Sequence, residues 1–266
     1  RTTRIKILNE AGLKWSEVEV PFYQENGIYE KVYDIGGKTY NFENGHLRAT
    51  DFDNNNTYET VINPSWKALK FAMPDVKPGS IIEYTYRISS QYKFNLRDWE
   101  FQWRIPVVYS KYEVSMIPFY EYTFLLQGAS GFDDQKSYKK KGGPRHYGQV
   151  TYQDMVHEYV MENVPAFRDE AFITSVNDYI IKLDFQLSKV IRTNGTKINV
   201  ITTWEELSKD LLKDSDFGKY IKKSARMATK VIDEAQLADK TEQEKFDFII
   251  SYVKANYNWN GMKGKY

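Results

Sequence analysis

From its first residues to about residue 200, the chain alternates apolar and polar side chains with period two; beyond that point the period changes. This alternation is the strongest constraint on the fold, because only a strand sends successive side chains to opposite faces. In "SIIEYTYRIS", Ile82, Tyr84, Tyr86 and Ile88 face one way while Glu83, Thr85 and Arg87 face the other. "YIIKLDFQL" repeats the pattern through Tyr179, Ile181, Leu183, Phe185 and Leu187, and "EYTFLLQ" through Tyr122, Phe124 and Leu126. One apolar and one polar face predict antiparallel sheets with a solvated side.

Turn residues punctuate these runs: "ENG" at 25–27 and 43–45, "IGG" at 35–37, "KPG" at 77–79 and "KGGP" at 141–144. Short strands with frequent turns predict a β-sandwich. In "DWEFQWRIPVVYSKYEVSM", Trp99, Phe101, Trp103 and Ile105 share one parity, and Val108, Tyr112, Val114 and Met116 share the other. The slip falls at Pro106, which cannot donate to a ladder, so one strand is expected to become two there.

After residue 200 the spacing is helical. Thr203 with Glu206 and Thr241 with Glu244 are capping boxes, each opening an amphipathic run. Trp204, Leu207 and Leu211 mark the first face. Ile221, Ala225, Ala228 and Ile232 mark the second, and Phe246, Ile249, Ile250, Val253 and Tyr257 the third. The expected class is mainly β with C-terminal α: an antiparallel sandwich over 1–200, then a small helical segment over 201–266.

The 266 residues suffice for one large domain or two ordinary ones, and a formal charge of +1 supplies no basic field for nucleic acid. Aromatic residues make up 16% of the chain, which fits the half-buried surfaces of sheets. With no cysteine, the sequence holds no disulfide, thiolate metal site or cysteine nucleophile. No apolar run is long enough to span a bilayer.

Few residues point to chemistry. His46, His146 and His157 lack metal-ligand spacing, and no cofactor fingerprint occurs. "DFDNNNTYE" opens like a calcium loop, but Asn56 and Ile62 stand where that loop needs Gly and Glu, so a polar turn is expected. The basic cluster Lys136, Lys139, Lys140, Lys141 and Arg145 reads as a solvated hairpin tip. Trp99 and Trp103, with Phe101 between them, suit either a sandwich core or a platform for sugar rings; the core reading is favoured because Glu100, Gln102 and Arg104 supply the wet face. With Trp66, these tryptophans are the candidate ligand-contact aromatics. No catalytic, cofactor or metal residue is assigned.

Five segments in this order carry a family resemblance: "IKILNEAG" (Ile5–Gly12), "FAMPDVKPGSIIEYTY" (Phe71–Tyr86), "FNLRDWEFQWRIPV" (Phe94–Val107), "ENVPAFRDEAF" (Glu162–Phe172) and "FDFIISYVKANYNWNG" (Phe246–Gly261). The first four resemble a bacterial exported β-sandwich domain of unknown function that precedes a transglutaminase-like core. The last resembles the opening helix of that core. The resemblance implies an N-terminally truncated sandwich and an incomplete core, whose nucleophilic cysteine, histidine and aspartate would lie beyond Tyr266. It also implies a periplasmic or cell-surface location and a downstream core as partner.

The function expected from these residues is a non-catalytic accessory module, positioning or binding substrate for a cysteine protease or amidase-type core. Its ligands would be a protein, peptide or glycan of the cell envelope. The alternative is a carbohydrate- or envelope-binding module using exposed aromatics, and it requires exposure of Trp15, Trp66, Trp99, Trp103, Trp204 or Trp259.

Overall fold

The computed structural model describes residues 1–25, 28–91, 96–173, 175–200, 203–215 and 217–258. It is mainly β, with three helices at its C-terminal end. The chain divides into two compact units, Arg1–Lys93 and Phe94–Tyr266. That division falls inside the 1–200 span expected to be one sandwich. Periodicity tells which residues are strands but not which strands pair, and in each unit the pairs span long stretches of sequence.

The first unit contains β1 (Thr2–Lys6), β2 (Glu17–Glu25), β3 (Ile28–Tyr29), β4 (Lys31–Glu43), β5 (His46–Asp51), β6 (Thr57–Asn63), β7 (Trp66–Ala72) and β8 (Ile81–Ser89). They form two four-stranded antiparallel sheets, ordered β1-β8-β4-β5 and β3-β2-β7-β6. Phe71 of β7 meets Tyr84 of β8 edge to face at 5.9 Å, joining the two sheets. Val18, Val20, Phe22, Ile5, Ile82 and Met73 complete the core. Gly37 is required on β4: a Cβ there would lie 2.8 Å from Met73 Cε and 2.9 Å from the Glu83 carbonyl.

One side of this core is polar. Thr39, Asn41 and Ser80 are buried; the Ser80 hydroxyl donates to Asn41 Oδ1, and Asn41 Nδ2 donates to the Asp75 carbonyl at 2.8 Å. These bonds pin the "PDVKPG" turn between β7 and β8, where Asp75 holds a left-handed φ of 53°. A buried amide is tolerated only when it is so satisfied.

The second unit contains β9 (Trp99–Glu100), β10 (Val107–Met116), β11 (Tyr120–Gln127), β12 (Asp134–Lys139), β13 (Arg145–Tyr147), β14 (Val150–Tyr152), β15 (Met155–Val164), β16 (Lys182–Ile191) and β17 (Lys197–Asn199). One sheet runs β10-β15-β12; the other runs β11-β16-β17, with β9 also on β16. Between them Phe124 meets Tyr159 at 5.6 Å, and Tyr112 meets Phe185 at 5.2 Å. Phe101, Leu183 and Met161 fill the rest of this second core. Pro106 separates β9 from β10, and Tyr112, Val114 and Met116 pack inward as the parity requires, while Val108 is exposed. Tyr179 also departs from its expected place, being exposed while Ile180 is buried.

The helices are α1 (Trp204–Lys213), α2 (Gly218–Glu234) and α3 (Glu242–Asn256). Both capping boxes are formed, at Thr203/Glu206 and Thr241/Glu244. α1 packs on α2 and α2 on α3. Their apolar stripes stay open, with Leu212 58% and Phe246 60% exposed, and among their described residues only Gly218 is buried. No helix among the described residues is long and apolar enough to cross a membrane.

Candidate functional site

The sequence singles out three tryptophans, which fall in different surroundings. Trp99 is half-buried: its Nε1 donates to Ser110 Oγ at 3.0 Å, its ring lies 5.2 Å from Tyr112, and it packs against the second core. Trp103 is half-buried too, and its carbonyl accepts the Phe167 amide at 2.7 Å. Trp66, in the first unit, stands edge to face with Tyr23 at 5.3 Å and is 37% exposed. Trp15 is half-buried, Trp204 is exposed, and Trp259 lies outside the described residues.

The second unit carries an open groove of about 690 Å³. It is lined by Gln102, Pro106, Gly128, Pro165, Ala166, Phe167, Arg168, Glu170, Tyr179 and Ile181. Its frame is built by backbone and amide bonds. The Phe101 and Gln102 amides donate to the Ile181 carbonyl at 2.9 and 3.2 Å. Gln102 then bridges both walls: its Nε2 donates to the Pro165 carbonyl at 3.1 Å, and its Oε1 accepts the Ile181 amide at 3.2 Å. Gln127 Nε2 holds the neighbouring loop through the Asn177 and Ile180 carbonyls at 2.8 and 3.1 Å.

Gly128 is needed here for two reasons. Its φ is +76°, and a Cβ would approach the Tyr179–Ile181 backbone to 3.2 Å. Arg104 is tied to Asp169 on the strap that forms one wall. Arg168 and Glu170 take part in no ion pair of the described residues and remain exposed, as does Tyr179. The groove thus offers an apolar floor with one cation, one anion and a phenol at its rim.

Sequence reading places Gln102 on a wet face and does not single out the 165–170 strap as a site. The signal within reach was the segment "ENVPAFRDEAF", whose five apolar and four charged residues fit neither strand nor helix period.

A second cluster joins β9 to β16. Lys182 Nζ lies 2.9 Å from Asp184 Oδ1 and 3.7 Å from Asp98 Oδ2. Burial, then the hydrogen bond and charge of Asp184, push the Asp98 carboxyl above its ordinary value. For Lys182, burial favours the neutral amine, but the two carboxylates outweigh it and raise the ammonium. Burial also pushes the adjacent Tyr112 phenol up to about 12, with Tyr159 and Asp98 adding to the shift. Two carboxylates are brought together here with a lysine between them, and the trio works as a clasp between strands.

The basic hairpin of β13 and β14 has a similar anchor. Arg145 Nη1 donates to Asp154 Oδ2 at 2.9 Å, Lys140 Nζ is 3.7 Å from the same oxygen, and Asp154 is buried. Arg145 also lies over the Tyr152 ring at 5.4 Å. Two of the tip's cations are thereby spent on structure. His146 and His157 hydrogen-bond to Thr151 and Ser137, at 3.0 and 2.8 Å. Asp53 accepts the Asn55 amide at 3.0 Å, so the "DFDNNNTYE" stretch is a capped polar turn. Among the described residues, no group of three or more His, Asp or Glu is placed to hold a metal.

Two antiparallel sandwiches followed by capped, open-faced helices define a β-scaffold protein with a helical tail. The model of a domain of unknown function with a solved structure, DUF3857, matches residues 1–149, and the chain belongs to that family. The match runs through the whole first unit and ends in the second, between β13 and β14. A crystal structure from Parabacteroides distasonis, described as a "putative protease", shares the fold with a TM-score of 0.60 at 16% identity. The likeness covers 97% of this chain and 46% of that one, so this chain spans about half the length of the protein it matches. No curated protein matches the chain.

Proposed function

We propose that this chain is a non-catalytic accessory region of a larger, exported transglutaminase-like protein of the cysteine protease or amidase type. Its second unit would hold an extended peptide in the Gln102–Phe167–Tyr179 groove and present it to a catalytic core in the same polypeptide. The observation that carries this reading is the contrast within the second unit: a finished, buried β core beside helices whose apolar faces are uncovered. Helices of this kind gain most of their stability from packing, so they call for further protein to cover them. The matched structure, about twice as long as this chain, is consistent with that reading. A periplasmic or cell-surface location goes with the same proposal.

The test is turnover of a peptide or isopeptide substrate by residues 1–266 and by a polypeptide extended to include a following core. The proposal expects activity in the extended protein alone. It also expects Arg168→Glu and Tyr179→Ala to raise KM there while leaving kcat in place, as loss of uniform binding does. Robust turnover by residues 1–266 contradicts it.

The Tyr23–Trp66 pair favours a second reading, a carbohydrate contact on the first unit. It predicts that soluble envelope glycans protect Trp66 from iodide quenching and that Trp66→Ala abolishes the protection. Quenching unaffected by glycan removes this reading.

A further inference from the structure

We propose that β6 is a self-pairing edge, through which two copies of this chain join their β3-β2-β7-β6 sheets about a twofold axis. β6 is the outer strand of its sheet, with the sequence Thr-Tyr-Glu-Thr-Val-Ile-Asn over Thr57–Asn63. An edge strand carries unpaired backbone groups, and proteins usually blunt such edges with charge, proline or brevity. Other edges here follow that rule: β12 carries Asp134, Lys136 and Lys139, β5 carries Arg48 and Asp51, and β3 has two residues. β11 also has a single charge and exposes Leu125, but its Tyr122 and Phe124 pack against the core. β6 has one charge, Glu59, no lysine and no proline. Its Tyr58, Val61 and Ile62 are 61%, 73% and 51% exposed.

The strand is complementary to itself. In an antiparallel pair centred on Thr60, Thr60 faces Thr60 of the second copy, and Glu59 faces Val61. Tyr58 then faces Ile62, beside the irregularity between Val61 and Asn63. No like charges meet, and Thr–Thr and aromatic–β-branched pairs are favourable cross-strand partners. The same patch serves both copies, as a twofold interface requires.

The register gives an asymmetric test by sedimentation equilibrium of the 266-residue chain. The proposal expects the apparent mass to rise with concentration from 31.3 kDa toward twice that value. Val61→Glu sets carboxylates against Glu59 at two places in the dimer and should weaken association by about tenfold. Val61→Lys sets an ammonium against Glu59 at the same places and should retain the dimer. Within one chain the preference is reversed. Val61 lies opposite Lys67, which already pairs with Glu59 at 3.7 Å, so Val61→Glu suits the monomer better than Val61→Lys does. A single-chain mass at every concentration overturns the proposal. So does equal weakening by both variants, association indifferent to Val61→Glu, or a monomer whose β6 amides are protected only by an added extended peptide.

Discussion

Phe101, in the second sandwich, is wholly buried, whereas Phe246, on the apolar face of α3, is 60% exposed. The helices meet their local rules all the same, with capping boxes formed at the starts of α1 and α3. Among the described residues the last buried apolar side chain is Leu187, before α1 begins. The contrast teaches that local structure and burial are separate achievements. Caps and periodicity suffice to shape a helix, but covering its stripe takes a second layer.

The contrast can be broken or sharpened by substitution. The largest effect is expected at Phe101→Ala, which empties a packed site and should cost about 3–5 kcal/mol in a denaturant titration. Tyr112→Phe acts through pH. The Tyr112 phenol ionises near 10.0 when unfolded and is held to about 12 in the fold, so the folded chain keeps a proton that the unfolded chain releases. Stability is therefore lost as pH rises between those values. Tyr112→Phe should remove about 2–3 kcal/mol of that alkaline loss, read as a flatter melting-temperature profile above pH 10.

Gly128→Ala comes next, at about 1–2 kcal/mol, because it places a side chain at φ +76° against the Tyr179–Ile181 backbone. The same variant should narrow the groove and weaken peptide capture. Smallest is Leu212→Ala on α1, expected to change global stability by less than about 0.5 kcal/mol, since this leucine is 58% exposed. If Leu212→Ala costs as much as Phe101→Ala, the helices are covered after all.

Much of this fold was legible where one segment decides its own state. The alternation in "SIIEYTYRIS" becomes β8 with Ile82 and Tyr84 buried, the Pro106 slip separates β9 from β10, and both threonine caps form. What escaped depends on distant partners. Thr2 pairs with Thr85 and Val107 with Val164, and these long-range registers create two sandwiches where alternation alone suggests one. The groove escaped for the same reason: its frame is a meeting of Gln102 with Pro165 and Ile181, none of which carries a motif. Trp99 shows the converse, an aromatic conspicuous in sequence that spends its ring on the core and its N–H on Ser110.

Hydrogen exchange of the native 266-residue chain tests the central contrast most directly. Amides of β15 and β16 should open only with global unfolding, while those of α1 and α3 should exchange through local openings of far lower free energy. Helical amides as strongly protected as those of β15 would contradict the account.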